Sequence, residues 1–365
     1  MTGAKGFVGQ NLVCELKNRG YRDILEYDLD TRPELLEQYT KQCDFVFHLA
    51  GVNRPKTQDE FMTGNFGFTS ELLEQLERHQ NKAPVLITSS IQAELQNPYG
   101  ESKKAGEDLI FAYGRENSVK TLVYRFPNLF GKWCRPNYNS VVATFCHNIA
   151  RGLPIKVNAP DTVLTLAYID DVVDELIAAL EGREHQKGDF CEIPVTYQIK
   201  LGRISDLLNS FFESRRTLEV PDLSDAFAKK LYSTYLSYLP AGHFSYDLKT
   251  NTDERGSFTE MLKSQDRGQV SVNIIKPGIT KGNHWHHSKN EKFLVVSGTG
   301  TIKFRRIQTS EVFTYTVSGE KLQVVDIPPG YTHNITNTGQ TDMVTVMWAN
   351  ERFDPNHPDT FYEEV

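Results

Sequence analysis

No stretch of this sequence is apolar for long enough to span a bilayer, and its start lacks the order of a secretory signal. The expectation is a soluble, cytoplasmic protein with no membrane partner. Cysteine is sparse. Cys14, Cys43, Cys134, Cys146 and Cys191 are odd in number, scattered and never spaced as CxxC. That pattern excludes a disulfide framework or a zinc knuckle and favours reduced, mostly buried thiols. Positive charge is also in deficit: 40 Lys and Arg stand against 47 Asp and Glu, a net charge of −7. A chain so balanced has no blanket attraction for nucleic acid, so no nucleic-acid partner is expected, and any phosphate ligand must be held by a local site. There is no internal repeat and no low-complexity tract. What is present is 365 residues, enough for two or three domains with real cores.

The chain opens Thr2-Gly3-Ala4-Lys5-Gly6-Phe7-Val8-Gly9, followed by Leu12, Val13 and Leu16 at helical spacing. Glycines at such an entry let a helix N-terminus approach a pyrophosphate, which its free N–H groups and dipole favour. Asp23–Tyr27 reads as a strand, and Asp28 lies 19 residues beyond Gly9, where an acid would bind a ribose hydroxyl. Arg32 nearby could instead compensate a 2′-phosphate, so NADPH and NADH both stay open. Phe45-Val46-Phe47-His48-Leu49-Ala50-Gly51 reads as a buried strand and tight turn. A helix near Phe66–His79, a strand over Pro84–Ser89 and a helix from about Tyr99 follow. Strands alternating with helices imply a Rossmann-like, doubly wound parallel sheet. Only Met1 and Thr2 precede Gly3, so the first strand of that sheet is expected to be missing or truncated.

Ser89-Ser90 at a strand end, then Tyr99 and Lys103 one helical turn apart, form a proton-handling set. Lys103 can hold its ammonium near the Tyr99 phenol and favour phenolate. Together with the glycines and Tyr124-Arg125-Phe126-Pro127-Asn128-Leu129-Phe130-Gly131, this resembles the extended short-chain dehydrogenase/reductase family, whose members mostly act on nucleotide sugars. The resemblance runs to about residue 240. It implies that Tyr99 is the catalytic acid, Lys103 the ribose contact and pKa modulator, and Ser90 the hydrogen-bond donor to the reacting oxygen, with Ser89 the alternative. It implies a cofactor held by Gly3, Lys5, Gly6, Phe7, Val8, Gly9, Asp28, Leu49, Ala50, Gly51, Tyr99 and Lys103. Asn128 resembles the family's contact to the sugar-nucleotide diphosphate. Asn65, Arg125 and the Tyr168–Val172 stretch also fit the family; Asp170 and Asp171 read as a helix N-cap with dipole-matched charge. Where sugar 4,6-dehydratases carry Thr-Asp-Glu this chain has Ser89-Ser90-Ile91, so carbonyl reduction or oxidation is the expected chemistry rather than elimination.

Tyr232, Tyr235, Tyr238 and Tyr246 mark a packed connector or subunit contact, and the domain boundary is placed near His243, giving domains 1–243 and 244–365. Beyond it, short alternating segments at Gly256–Glu260, Gly268–Asn273, Lys292–Val296, Thr301–Arg306, Lys321–Ile327 and Met343–Trp348 predict an antiparallel barrel or jelly roll. On a strand His284 and His286 share a face, and Glu291 and His333 can join them; three imidazoles and a carboxylate suit a divalent transition metal. With Gly278, Gly282, Gly298, Pro328, Gly330 and Asn337 at fixed spacings, this resembles the two-part motif of the cupin family. Arg255 and Gln269 resemble cavity-lining positions of its sugar-epimerase branch. Lys276, His287 and Tyr331 are candidate bases.

A nucleotide-sugar reductase joined to a metal cupin resembles the bifunctional enzymes of capsular polysaccharide synthesis. The resemblance implies C3 epimerisation of a UDP-2-acetamido-2,6-dideoxy-hexos-4-ulose in the cupin, then C4 reduction with NADPH to UDP-N-acetyl-6-deoxy-L-talosamine. It also implies zinc and a homodimer. Two other readings stay open at this point: a one-step reductase with a non-catalytic sugar-binding or dimerising cupin, and an iron cupin that uses oxygen, since the same ligands hold iron or manganese.

Overall fold

The computed structural model describes residues 1–307 and 309–365. They divide into two compact units, one of Met1–Asn209 with Lys230–Pro240, the other of Ser210–Lys229 with Ala241–Val365.

In chain order the first part runs α1 (Phe7–Asn18), α2 (Glu34–Gln42), β1 (Val46–His48), α3 (Asp59–Phe61), a π-helical turn over Met62–Gly67, α4 (Phe68–Arg78), β2 (Val85–Ser90), α5 (Pro98–Asn117) and β3 (Thr121–Phe126). It continues with β4 (Asn128–Phe130), α6 (Val141–Ile149), β5 (Val163–Tyr168), α7 (Ile169–Leu180), β6 (Gln186–Lys187), β7 (Phe190–Cys191), β8 (Tyr197–Lys200), α8 (Leu201–Thr217) and α9 (Ala226–Ser237). The main sheet has the order β1-β2-β3-β7-β6, with β1, β2 and β3 mutually parallel. Alternation along those strands explains the layering. Leu86, Leu122 and Tyr124 pack with Leu12, Leu16, Val172 and Leu176 of α1 and α7, while Val85, Ile87 and Val123 pack with Leu72, Leu76, Ile110 and Tyr113 of α4 and α5. Both faces are therefore covered, which is why β2 is buried along its whole length. The Rossmann-like expectation is borne out.

One expected element differs. Asp23–Tyr27 is reduced to a single bridge at Tyr27. Thr2 bridges in parallel to both Tyr27 and His48, and Tyr27 N–H donates to the Met1 carbonyl at 2.9 Å. The Met1 ammonium donates to the Leu25 carbonyl at 2.8 Å; burial pushes its pKa down to about 6. Of the four connector tyrosines Tyr235 and Tyr238 are buried, Tyr232 is partly buried and Tyr246 is exposed, and the Tyr238 hydroxyl donates to the Cys134 carbonyl at 2.5 Å.

The second unit takes in the end of α8 and the start of α9, and from Ala241 on it is all-β. Its strands are β9 (Thr250–Asp253), β10 (Gly256–Ser264), β11 (Gly268–Ile275), β12 (Thr280–Trp285), β13 (Glu291–Ser297), β14 (Thr299–Arg306), β15 (Val312–Ser318), β16 (Val324–Ile327), β17 (Tyr331–Asn337), β18 (Met343–Ala349) and β19 (Phe361–Tyr362). They form a six-stranded sheet, β16-β13-β18-β11-β10-β9, and a five-stranded sheet, β15-β14-β17-β12-β19. The core draws Ile275, Phe293, Val295 and Met343 from the first sheet and Ile302, Phe304, Val317 and Ile335 from the second. Polar side chains in that same interior are the exceptions that build a site. Among the described residues no helix is long and apolar enough to cross a membrane.

Candidate functional site

In the first unit the glycine loop wraps the start of α1. Gly3 has φ +67°, and a Cβ there would stand 2.7 Å from the Ala50 nitrogen. A Cβ on Gly9 would stand 2.2 Å from the Gly3 carbonyl oxygen. The loop is thus pressed against Leu49 and Ala50, which leave the end of β1 and lead to Gly51. Gly6 is the N-cap of α1, gives no side-chain cap, and no acid occupies the first turn, where Phe7 and Val8 lie. Uncapped N–H groups facing a loop of this shape suit an anionic diphosphate. Asp28 accepts from the Lys5 backbone at 2.7 Å and from Leu29 N–H at 2.8 Å, so its carboxylate braces the loop. The Lys5 side chain is paired with Asp30.

Ser90, Tyr99 and Lys103 stand close to one another. Asn97 caps α5 by accepting from Gly100 N–H at 2.9 Å, with Pro98 in the first turn. That start places Tyr99 beside the end of β2; burial raises the phenol pKa and the neighbouring Ser90 hydroxyl partly offsets it. Ser89 points elsewhere, donating to Glu107 at 2.6 Å. Lys103 is buried, which lowers its pKa to about 8 against the opposing pull of Glu107. Its Nζ donates to the Thr88 carbonyl at 3.2 Å and lies 6.0 Å from the Tyr99 ring centroid.

Around this set, Asn65 sits in the π-helical turn and clamps the neighbouring loop: Val52 N–H donates to its Oδ1 at 2.8 Å, and its Nδ2 donates to Ser102 Oγ at 2.9 Å. A π-turn at such a point is a common device for aiming one side chain. Arg125 is absorbed by structure, donating to both oxygens of Glu107 at 2.8 and 2.6 Å. Glu107 was not foreseen, although its spacing of four from Lys103 on one helix was readable. Asn128 opens β4 and is exposed. Asp170 and Asp171 lie inside the first turn of α7, whose N-cap is Tyr168 with no side-chain cap. They are dipole-matched charges rather than caps, paired with Lys132 and Lys230.

In the second unit the four candidate ligands converge. One donor atom from each of His284, His286, Glu291 and His333 lies within 4.8 Å of all the others. His284 on β12 stands opposite His333 on β17 in the antiparallel register, just past an irregularity at Gly282. Glu291 begins β13 of the other sheet, so the cluster spans the interior between sheets. Nε2 of His286 and of His333 each stands 3.4 Å from Oε2 of Glu291. Among the described residues both ring nitrogens of His333 are buried without a hydrogen-bond partner. Unpartnered buried imidazole nitrogens facing a carboxylate fit a cation-binding role and otherwise carry a desolvation penalty. Burial, with His333 beside it, pushes the His284 pKa down to about 4, keeping that ring neutral and able to ligate. Burial pushes Glu291 up, but the His286 and His333 imidazoles outweigh it and hold the carboxyl well below the usual range. A divalent metal would be held by His284, His286, Glu291 and His333.

Glu291 also lines a cavity of about 260 Å³ with Gln269, Ser271, Glu260 and Lys289. Gln269 donates to Ser271 Oγ at 3.1 Å within it. Arg255 is not brought to this cavity: it is paired with Asp253 at 2.6 Å and lines a separate space of about 330 Å³ with Asn273 and Lys281. Lys276 and His287 are exposed and Tyr331 is partly buried; none of them lines the Glu291 cavity. Lys289 and Asp359 were missed, Asp359 because its partners lie some 70 residues earlier and leave no local pattern.

Residues 1–193 match the NAD dependent epimerase/dehydratase family. The chain belongs to that family. Residues 251–361 match the polysaccharide biosynthesis C-terminal domain. A curated relative from Pseudomonas aeruginosa, named UDP-2-acetamido-2,6-beta-L-arabino-hexul-4-ose reductase, is 44% identical over 99% of this chain and 97% of its own. The crystal structure of the capsular polysaccharide assembling protein CapF from Staphylococcus aureus superposes with a TM-score of 0.95 and 55% identity, covering 100% of this chain and 99% of that one. This member of the family is therefore of the CapF type along its whole length. The Bordetella bronchiseptica enzyme WbmF in complex with NAD+ shares the fold of the first unit, at TM-score 0.51 and 20% identity over 58% of this chain and 77% of its own.

Proposed function

We propose that this chain is a bifunctional capsular-polysaccharide enzyme: a metal-binding cupin barrel, residues 244–365, inverts C3 of a UDP-2-acetamido-2,6-dideoxy-hexos-4-ulose, and residues 1–243 then reduce C4. The product is UDP-N-acetyl-6-deoxy-L-talosamine. The observation that carries this reading is the near full-length kinship to a protein named for reduction of a UDP-linked hexul-4-ose. The preferred cofactor is NADPH, with NADH the alternative, and the preferred metal is Zn2+, with another divalent transition metal the alternative. The working form is a cytoplasmic homodimer.

Chemistry dictates the order. The C3 proton is acidic only while C4 is a ketone, because the carbanion delocalises onto O4; after reduction C3 can no longer be inverted. A nicotinamide bound on the glycine loop supplies hydride to C4. Tyr99 gives its phenolic proton to the developing alkoxide, Ser90 holds the phenol and donates toward the same oxygen, and the Lys103 cation favours the phenolate left behind. Asn128 binds the diphosphate. In the barrel Gln269 orients the sugar, and a metal on the four ligands would supply positive charge to the cavity.

Incubation with the UDP-4-keto-sugar in deuterated solvent, with and without each reduced cofactor, tests the reading by NMR of C3 and C4. Deuterium at C3 without cofactor, and inverted C3 with reduced C4 when cofactor is present, are expected. Reduction at C4 with no exchange at C3 would instead favour a one-step reductase carrying a non-catalytic cupin.

A further inference from the structure

Lys289 is 8% exposed, and among the described residues its ammonium has no ion-pair or hydrogen-bond partner. A cation on so enclosed a side chain with no pairing partner calls for an anionic group close by, so its surroundings are informative. It lines the cavity of about 260 Å³ beside Glu291, Glu260, Gln269 and Ser271. Neither carboxylate of that cavity is within ion-pair distance of the Lys289 ammonium. Glu260 is paired with Lys263 at 2.8 Å, and Glu291 faces His286 and His333 at 3.4 Å. The Lys289 ammonium is therefore left to face whatever anionic group enters the cavity. Its backbone is fixed as well, since Lys289 N–H donates to the Asp359 carboxylate at 2.9 Å, together with the N–H groups of His287 and Ser288 at 2.9 and 3.0 Å.

We infer that Lys289 is a catalytic residue of the C3 epimerisation, its ammonium contacting the oxygen on C4 and stabilising the negative charge that gathers there; this rests on the epimerase reading of the cupin. As the C3–H bond breaks, its electron pair forms the C3–C4 double bond and the carbonyl pair moves onto O4. The proton is lost to solvent, and its return to the opposite face restores the ketone with C3 inverted. A fixed cation aimed at the oxygen where charge develops needs no reorganisation during that step, and removing one such contact lowers turnover by about 100-fold or more. The same ammonium could serve an oxyanion of the UDP diphosphate, but a contact of that kind acts equally on ground and transition states and shows in KM alone.

The experiment is steady-state deuterium exchange at C3 for the wild-type chain, Lys289→Met and Lys289→Arg, with bound metal quantified in each. The expected result for Lys289→Met is a kcat about 100-fold lower with KM within threefold and metal content equal to wild type, with Lys289→Arg recovering part of the loss. A kcat within threefold of wild type overturns the proposal, as does a rise in KM at unchanged kcat. Should the Met variant lose metal or fail to fold, Lys289→Gln is read by the same criteria. A wild-type chain that exchanges nothing at C3 overturns the epimerase reading and this proposal with it, whereas exchange untouched by the substitutions overturns this proposal alone.

Discussion

His286 Nδ1 lies 2.6 Å from the backbone carbonyl oxygen of Asp359, 73 residues away. The ring must donate there, which fixes its tautomer and presents Nε2 to Glu291. The Asp359 carboxylate anchors the same loop by accepting from the N–H groups of His287, Ser288 and Lys289.

Asp359→Ala therefore loosens the ligand loop without removing a ligand. Partners of this kind are worth about 10–100-fold in metal affinity. Titration with a competing chelator is expected to show a loss of that size, and an affinity equal to wild type would rule out the bracing role.

Tyr99→Phe deletes the proton donor to O4 and keeps the ring. Oxidation of the reduced cofactor should fall by about 10²–10⁴-fold, the usual worth of a general acid. Solvent deuterium should still enter C3 of the keto-sugar. Exchange that vanished along with reduction would contradict two separate sites.

Ser89 and Ser90 are adjacent yet face different partners, Glu107 and Tyr99. Ser90→Ala is expected to lower kcat for reduction with little change in melting temperature. Ser89→Ala removes a hydrogen bond to a buried carboxylate and should destabilise the fold by about 1–3 kcal/mol while kcat stays close to wild type. The reverse pattern in denaturation and kinetics would exchange their roles.

His48 is buried between two hydroxyls, Nδ1 at 2.7 Å from Thr2 and Nε2 at 2.8 Å from Thr69. Burial pushes its pKa down to about 3 from an ordinary 6.5. The folded ring is neutral, so its contribution to stability is complete above pH 6.5 and is lost as pH falls from there toward 3. That single group removes about 2 kcal/mol by pH 5. Urea midpoints at pH 7 and pH 5 should differ less in His48→Gln than in wild type, and equal pH dependence would discount the assignment.

Local chemistry alone determined much of this protein. Alternating strands and helices specified the parallel sheet, glycines marked the diphosphate loop, and a spacing of four placed Tyr99 and Lys103 on one face, since helix and strand periods act over a few residues. The HxH spacing likewise announced the four candidate ligands. The tertiary structure decided what depends on contacts between distant segments. It turned Ser90 rather than Ser89 toward Tyr99, spent Arg125 on Glu107, reduced the strand at Asp23–Tyr27 to one bridge, and kept Arg255 out of the Glu291 cavity. It also brought Asp359 across from the far end of the chain to hold His286 and, among the described residues, left the Lys289 ammonium without an ion-pair partner. No pattern within either segment carries that pairing, because a hydrogen bond between residues so far apart exists only once both sheets have closed around the same interior.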